Sequence, residues 1–196
     1  MEIVLATRNE GKLQEIRDLL KWQDLKIISL REIPQAPIIR ECGITFEENA
    51  LIKAEVIASF TNKVTVADDS GLEVNTLNGQ PGIYSARFAG ENASDDENNK
   101  ELLRRLKGFP IYRRGASFKC VVAVVDPRGK KGIVEGECSG IIQFEESGNS
   151  GFGYDPLFFV PEYGKTFAEL SPEIKNKISH RGKAMEKLKG ILKEFL

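Results

Sequence analysis

Residues 3–20 read IVLATRNEGKLQEIRDLL. The apolar start, Ile3–Ala6, predicts a short β-strand, and the polar residues that follow it predict a loop. After the loop, apolar residues recur at helical spacing at Leu13, Ile16, Leu19 and Leu20. The stretch therefore predicts a strand, a loop and a helix, which is the repeating unit of an α/β fold.

The rest of the chain adds both helices and strands. Thr45 precedes Glu48 with capping-box spacing, so a second helix is expected to begin near Phe46. Ser94 and the acids after it predict the start of a third helix. Apolar stretches on both sides of residues 126–129 predict a long β-hairpin, and a C-terminal amphipathic helix is expected around Ala184–Phe195. We expect an α/β protein with a mixed sheet.

Composition limits the possible functions. The chain has 196 residues, with 28 basic and 29 acidic side chains and a formal net charge of -1. This length can form one domain or one two-lobed unit, and the near-neutral charge excludes the broad basic surface that binds nucleic-acid polymers. The N-terminus has no signal-peptide pattern, and the longest apolar run is too short to span a bilayer. We therefore expect no membrane contact.

The numbers and spacing of the cysteine and histidine residues indicate the cellular compartment and the type of metal site that the chain can form. Cys42, Cys120 and Cys138 lack metal-site spacing, and an odd number of cysteines without an export signal favours the reducing cytoplasm. A single histidine, His180, cannot form a multi-histidine zinc site. Any catalytic metal is therefore expected to be held by carboxylates.

The loop after the first strand is a candidate phosphate site. Residues 7–12 could direct backbone N–H groups, a helix N-terminus and Lys12 at phosphate oxygens. Ala6 and Leu13 stand where a Walker motif needs Gly and Ser or Thr, so that motif is rejected. The alternative is a capped helix start with a solvated Lys12.

A second candidate follows the predicted strand Val64–Ala67, which is expected to end in an acidic turn at Asp68 and Asp69. Adjacent carboxylates repel each other, and Mg²⁺ offsets that repulsion by taking carboxylate and phosphate oxygens together. The alternative is an Asx-type turn. Glu41 could add a metal ligand, although a single acid in a linker is more often solvated.

Lys53 is a further candidate. It lies one helical turn after Asn49, so the two side chains share a face of the predicted helix. An isolated lysine on a helix is most often solvated. The interpretation of Lys53 as a functional residue therefore depends on its surroundings in the fold.

Two later segments carry aromatic and basic residues. In residues 150–156, glycines flank Phe152, which allows the backbone to approach a planar ligand and the ring to stack on it. The alternative is a tight turn with Phe152 in the core. Residues 175–181 concentrate donors together with His180, and the alternative there is a basic loop that neutralises acidic neighbours.

Six segments stand in order along the chain, namely Ala6–Lys12, Thr45–Ala50, Ala67–Leu72, Pro81–Arg87, Gly151–Pro156 and Ile178–Arg181. Together, over nearly the whole chain, they resemble the inosine triphosphate pyrophosphatase family, the XTP/dITP diphosphatases. The resemblance implies one two-lobed domain over residues 1–196, with an elongated mixed sheet flanked by helices and the active site in a cleft between the lobes. It also implies a Mg²⁺-dependent homodimer that hydrolyses ITP, dITP and XTP to the monophosphate and pyrophosphate, which removes deaminated purines from the nucleotide pool.

The same resemblance implies roles for individual residues. Asp69 would be the catalytic acid-base residue and a metal ligand, with Glu41 and Asp68 as further candidate ligands. Arg40 stands before Glu41, where some members carry a second acid, so the resemblance supports Glu41 less directly. Nucleotide-binding residues would be Thr7, Arg8, Asn9, Glu10, Gly11, Lys12, Ser70, Phe152, Gly153, Tyr154, Asp155, Lys175, His180 and Arg181. From its chemistry rather than from the resemblance, Lys53 could hold the departing phosphates together with Lys12.

The chemistry of these residue types agrees with that activity. Hydrolysis between the α- and β-phosphates needs a positioned water and charge neutralisation, which carboxylates, Mg²⁺ and lysines can supply. Arg181 is the donor predicted to face a 6-oxo purine, with Phe152 stacking on the ring. Two alternatives remain open, namely a pyrophosphatase for other modified nucleotides and a non-catalytic nucleotide-binding module.

Overall fold

The computed structural model describes residues 2–21 and 25–196. Within these residues the helices are α1 Glu10–Leu19, α2 Phe46–Thr61, α3 Asp95–Arg105, α4 Pro172–Ile178 and α5 His180–Leu192. The strands are β1 Glu2–Leu5, β2 Lys26–Ser29, β3 Thr65–Val74, β4 Gly115–Val125, β5 Lys131–Ile142, β6 Phe158–Val160 and β7 Lys165–Thr166. None of the helices in the described ranges is long and apolar enough to cross a bilayer.

The strands form one mixed sheet in the order β2-β1-β3-β4-β5-β6-β7. Strand β1 runs parallel to β2 and β3, with Ile3 opposite Ile27 and Val4 opposite Thr65. Strand β6 runs antiparallel to both β5 and β7. Strands β4 and β5 are neighbours joined by a short loop, so the predicted hairpin is confirmed. The predicted α/β class with a mixed sheet is likewise confirmed.

The chain forms two compact units. The first comprises Met1–Asp69, Cys120–Gly136 and Arg181–Leu196, and the second comprises Ser70–Lys119 and Glu137–His180. Strands β3, β4 and β5 contribute residues to both units. Each unit has a hydrophobic core of its own.

The core of the first unit lies against β1 and β3. Ile3 and Val66 from these strands pack with Ile16 of α1 and Leu188 of α5, and all four side chains are fully buried. These helix residues come from the apolar faces of the two predicted amphipathic helices. Burying one apolar stripe of a helix on a sheet is the main stabilising contribution to such a layer.

The core of the second unit is rich in aromatic residues. Phe158 and Phe167 pack with Phe118 of β4, with ring centroids 4.6–5.8 Å apart in the three pairs. Leu72 of β3 and Leu102 of α3 are fully buried in the same cluster. Such tilted and offset contacts are the geometry that aromatic pairs favour in protein interiors.

Local capping signals place the helix starts as predicted. Thr45 accepts a hydrogen bond from the Glu48 N–H and caps α2. Ser94 and Glu97 form a reciprocal capping box at the start of α3. These interactions satisfy N–H groups that have no partner inside the helix.

The predicted end of β3 at Ala67 is wrong. The strand continues through Asp68, Asp69 and Ser70 to Val74, so these residues form neither an acidic turn nor an Asx-type turn. Aspartate, serine and glycine are poor strand formers, which is why the sequence indicated a break. Buried Leu72 and Val74 extend the strand into the second core, and basic side chains neutralise the carboxylates.

The cysteines differ in their surroundings, and this predicts their reactivity. Cys42 is exposed, whereas Cys120 is fully buried, and burial raises the pKa of the Cys120 thiol to about 12. Because the thiolate is the reactive form, we expect Cys42 to react rapidly with a disulfide reagent at pH 8 and Cys120 to stay unreacted until the protein unfolds. In the Cys42→Ser variant, a rapid thiol signal from the folded protein would contradict this.

Candidate active site

The loop between β1 and α1 ends in a capped helix start. Asn9 has an extended backbone, and its Oδ1 accepts a hydrogen bond of 2.9 Å from the Lys12 N–H. Thr7 Oγ1 accepts from the Asn9 N–H at 3.2 Å, and Gly11 lies in the first turn of α1. This geometry confirms the capped start, and it leaves a helix N-terminus at the end of β1, as a phosphate site requires.

Two other loop residues contact neighbouring segments of the first unit. Arg8 donates from Nη2 to the Ala36 carbonyl at 3.0 Å, and Glu10 forms an ion pair with Arg31. These contacts tie the loop to the segment after β2. Their predicted contacts with phosphate stay predictions.

Lys12 points at the acidic strand. Its Nζ lies 3.0 Å from Asp68 Oδ2, and only 16% of its side chain is exposed. The interpretation of Lys12 as a solvated lysine is therefore wrong. The ion pair joins the start of α1 to β3.

Asp68 is a buried carboxylate between two cations. Its side chain has no exposed surface, and Arg181 Nη2 lies 3.6 Å from the same Oδ2 that pairs with Lys12. Arg181 is itself 2% exposed and also pairs with Glu15 of α1. Burial raises the pKa of Asp68, but the positive charges of Lys12, Arg181 and Lys53 outweigh burial and hold that pKa well below its usual range. Asp68 is thus kept ionised.

Asp69 faces a different set of partners. Its Oδ1 accepts from Lys53 Nζ at 2.9 Å and its Oδ2 from Asn49 Nδ2 at 3.3 Å. Glu41 Oε1 lies 3.2 Å from the same Lys53 ammonium. Burial raises the pKa of Asp69 above its usual value, and the attraction of Lys53 and Lys12 only partly offsets burial.

Strand geometry explains why two consecutive aspartates differ. Successive side chains of a strand point to opposite faces of the sheet. Asp68 therefore meets Lys12 of α1 and Arg181 of α5, while Asp69 meets Lys53 of α2. Pairs of titratable groups whose environments push their pKa values apart are typical of acid-base sites.

Lys53 is buried, which corrects the interpretation of a solvated lysine. Its side chain is 9% exposed, and its predicted neighbour on the helix, Asn49, binds the same carboxylate. Burial lowers the pKa of Lys53, but the carboxylates of Asp69, Asp68 and Glu41 outweigh burial and raise it. The Asn49–Lys53 spacing was a signal for this contact, whereas nothing in the sequence indicated the pairing of Glu15 with Arg181.

In the second unit, Asp155 organises the glycine-rich loop. Its Oδ2 accepts from the Phe152 N–H at 2.9 Å and from Lys175 Nζ at 2.6 Å. The Lys175 ammonium lies 5.2 Å from the centroid of the Phe152 ring and 5.7 Å from that of Phe167. The loop therefore presents an aromatic ring beside a fixed cation.

Tyr154 anchors the same loop. Its hydroxyl donates to the Ser85 carbonyl at 2.8 Å, and Ser85 Oγ accepts from the Leu72 N–H at 2.9 Å. Ser85 lies in the segment Pro81–Arg87, which carried part of the family resemblance, but sequence reasoning assigned it no role. The structure connects the loop through Ser85 to β3.

Two further residues that were predicted to bind nucleotide, His180 and Ser70, also belong to the second unit. The His180 ring stacks on Phe118, with centroids 4.7 Å apart and an interplanar angle of 11°, and it is 4% exposed. His180 begins α5 and Lys175 lies in α4, so the interpretation of residues 175–181 as a basic loop is wrong. Ser70 lies within β3, directly after Asp69.

The predicted residues thus form two groups, one in each unit. The group of the first unit, called the acidic cluster below, comprises Lys12, Glu41, Lys53, Asp68, Asp69 and Arg181. The group of the second unit, called the aromatic loop below, comprises Phe152, Gly153, Tyr154 and Asp155, with Lys175 bound to it. Because the contacts of Arg181 include Asp68 and Glu15, it joins the acidic cluster, and its role toward the base stays a prediction.

The geometry of Gly151 predicts a stability difference. Its φ is +80°, and a Cβ there would lie 2.1 Å from Asp155 Oδ2, whereas Gly153 has φ +61° and no heavy atom within 4 Å of such a Cβ. We expect Gly153→Ala to lose about 1–2 kcal/mol of unfolding free energy to backbone strain. Gly151→Ala should lose about 1–3 kcal/mol more, since Asp155 must leave its partners.

Urea unfolding of the two variants measures this difference. Equal losses for Gly151→Ala and Gly153→Ala would show that Asp155 moves away without disturbing the loop. A larger loss at Gly153 would contradict the prediction outright.

Comparison with known proteins agrees with this geometry. The model of the Ham1 family matches residues 3–191. The chain is 52% identical over 192 residues to the dITP/XTP pyrophosphatase of Desulforamulus reducens, covering 98% of this chain and 96% of that protein. It is 51% identical over 187 residues to the dITP/XTP pyrophosphatase of Geobacter sulfurreducens, covering 95% of this chain and 94% of that one.

Solved structures show the same fold. The HAM1 protein of Coxiella burnetii superposes with a TM-score of 0.90 at 44% identity, covering 99% of each chain. Sequence and structure therefore lead to one assignment, and the chain belongs to the Ham1 family.

Proposed function

We propose that this chain hydrolyses dITP, XTP and ITP to the nucleoside monophosphate and pyrophosphate, and that it thereby removes deaminated purines from the nucleotide pool. The names of its relatives support this substrate class. The observation that carries the proposal is that two consecutive buried aspartates, Asp68 and Asp69, bind different sets of basic side chains. A positioned carboxylate of this kind can act as the general base that hydrolysis needs.

We propose Mg²⁺ as the cofactor, with Asp69 and Glu41 as its ligands from this chain. In the part of the chain that the structure describes, no group of three His, Cys, Asp or Glu side chains is placed to hold a metal. Mg²⁺ is usually bound by one or two carboxylates together with substrate phosphates, and Asp69 and Glu41 are two carboxylates that share one cation. Asp68 is left out of the proposed metal site because its side chain is fully buried against Lys12 and Arg181.

The proposed reaction is direct attack of water on the α-phosphorus. Asp69 accepts a proton from the water on a carboxylate oxygen, the new P–O bond forms, and the bond to the bridging oxygen of the β-phosphate breaks. Bound Mg²⁺ would neutralise charge on the phosphate oxygens. Lys12 and Lys53 stabilise the pyrophosphate that leaves.

We assign recognition of the base to the aromatic loop. The Phe152 ring offers a surface for stacking, and Lys175 is a hydrogen-bond donor fixed beside it by Asp155. Hypoxanthine and xanthine carry a 6-oxo acceptor where adenine carries an amino donor. A site built from donors therefore favours the deaminated purines, and such a site can reject a mismatched analogue by about 10⁴-fold.

Product analysis with ITP, GTP, ATP and a panel of modified pyrimidine nucleotides in the presence of Mg²⁺ tests the function. We expect ITP to yield inosine monophosphate and pyrophosphate, with much slower turnover of ATP. Orthophosphate and a diphosphate as first products would refute attack at the α-phosphorus. Turnover of modified pyrimidine nucleotides without turnover of ITP would support the first alternative, and binding without turnover would support a non-catalytic module.

We propose that the chain forms a homodimer, as the family resemblance implies, and that it acts in the cytoplasm, as its cysteine usage favours. Free nucleotides are a cytoplasmic substrate, and the proposed activity needs no nucleic-acid polymer or membrane. Light scattering on the purified protein measures the assembly, and a monomer at micromolar concentration would contradict the proposed dimer.

A further inference from the structure

Helix α3 contacts the aromatic loop through two side chains, Asp95 and Asn99. Acids in the first turn of a helix complement its dipole, but Asp95 also has a partner outside the helix. In the structure, Asp95 Oδ2 accepts the Gly153 N–H at 2.6 Å, and Asn99 Nδ2 donates to the Gly153 carbonyl at 3.2 Å. The two side chains are one helical turn apart, and together they bind the N–H and the C=O of a single glycine.

We propose that Asp95 and Asn99 are positioning residues that hold the aromatic loop in place and thereby set selectivity for the base. This inference rests on the proposed function, because it assigns base recognition to that loop. Glycine has the largest backbone freedom of any residue, and Gly151 and Gly153 flank Phe152. Two hydrogen bonds from a rigid helix remove that freedom at Gly153.

Asn99 has a second feature that packing does not explain. The side chain is 3% exposed, and within the described residues its Oδ1 has no hydrogen-bond partner. A buried acceptor without a partner lowers stability, and an apolar side chain of similar size would avoid that penalty. The amide is therefore best explained by its contact with Gly153.

The position of Gly153 affects the rest of the loop. Its neighbour Phe152 donates its N–H to Asp155, and Asp155 also binds Lys175. A shift of the Gly153 peptide therefore changes the positions of both the aromatic ring and the cation. The acidic cluster belongs to other elements, namely α1, α2, β3 and the start of α5, together with Glu41.

Because the acidic cluster and the aromatic loop lie on different elements, three variants can test the inference. Asp95→Asn weakens one contact and Asn99→Ala removes the other. Asp96→Asn is the matched control, because Asp96 is the next residue of α3 and its carboxylate accepts from Lys100 of the same helix. For each variant we would measure kcat and KM for ITP and ATP, and the inhibition constant of inorganic pyrophosphate, which has no base.

For Asn99→Ala we expect KM for ITP to rise about tenfold and the ITP-to-ATP ratio of kcat/KM to fall. A small misplacement of the bound substrate can lower the rate by up to about 100-fold, so a shifted loop is enough for this effect. The inhibition constant of pyrophosphate should stay within about twofold of the wild-type value. Asp95→Asn should show the same pattern more weakly, and Asp96→Asn should match the wild type. If Asn99→Ala does not fold, Asp95→Asn decides, because Asp95 is exposed.

An unchanged ITP-to-ATP ratio in both variants would overturn the inference, as would an equal loss of pyrophosphate binding. Either result would leave Asp95 and Asn99 as structural residues only. Failure of the proposed function gives a different result, since the wild-type protein itself would then release no pyrophosphate from any purine nucleotide.

Discussion

The Asp69→Asn variant is expected to lose about 10²- to 10⁴-fold in kcat for ITP hydrolysis while it keeps its fold. The change preserves the shape of the side chain but removes both the proton acceptor and a charged ligand for the proposed metal. Lys53 keeps Glu41 as a partner at 3.2 Å, so the buried cation is not left alone. Pyrophosphate release measures the activity, and thermal unfolding measures the fold.

Glu47→Gln is the control for this variant. Glu47 is an exposed acid in the first turn of α2, the helix that carries Lys53, and it belongs to neither group of site residues. Its kcat should equal that of the wild type. A folded Asp69→Asn protein with kcat within twofold of wild type would remove Asp69 from the mechanism.

Asp68→Asn is expected to lower the stability of the fold. Removing one partner of a buried ion pair lowers the free energy of unfolding by about 3–5 kcal/mol. Asp68 is fully buried between Lys12 and Arg181, and its charge balances both cations. Urea unfolding at pH 7 measures the loss, and Asp96→Asn, which breaks only an exposed pair with Lys100, should change stability little.

The pH dependence of this loss follows from the lowered pKa of Asp68. A carboxylate with a folded-state pKa below its unfolded-state value stabilises the fold fully above the unfolded-state value, which is about 3.9. That contribution is lost as the pH falls from there toward the lower folded-state pKa. The difference between wild type and Asp68→Asn should therefore be constant near pH 7 and shrink below about pH 4. A difference that grows on acidification would contradict the assignment.

Features of the fold that depend on neighbouring residues could be predicted from the sequence. The cap at Thr45, the capping box of Ser94 and Glu97, and the hairpin at residues 126–129 were all found where expected. Each is determined by hydrogen bonds or turn geometry within a few residues. The residues of the acidic cluster were also named from the sequence, whereas Glu15, the partner of Arg181, was not.

Features that depend on distant residues were predicted wrongly. Strand β3 was expected to end at Ala67 because its next residues are poor strand formers, but burial of Leu72 and Val74 in the second core extends it. Lys53 was expected to be solvated, but it lies against Asp69, which is 16 residues away in sequence. Tertiary contacts outweighed local preference in both cases.

The sequence by itself determined the α/β class, the starts of α2 and α3 and the chemical types of the site residues, because these follow from local periodicity, capping and side-chain chemistry. Those local patterns do not distinguish Asp68 from Asp69, which are identical and adjacent, and only the family resemblance favoured Asp69. The tertiary structure gives the physical reason for the difference, since successive strand residues face opposite sides and therefore meet different helices. Asp68 meets Lys12 and Arg181 and stays ionised, whereas burial beside Lys53 raises the pKa of Asp69 and suits it to accept a proton.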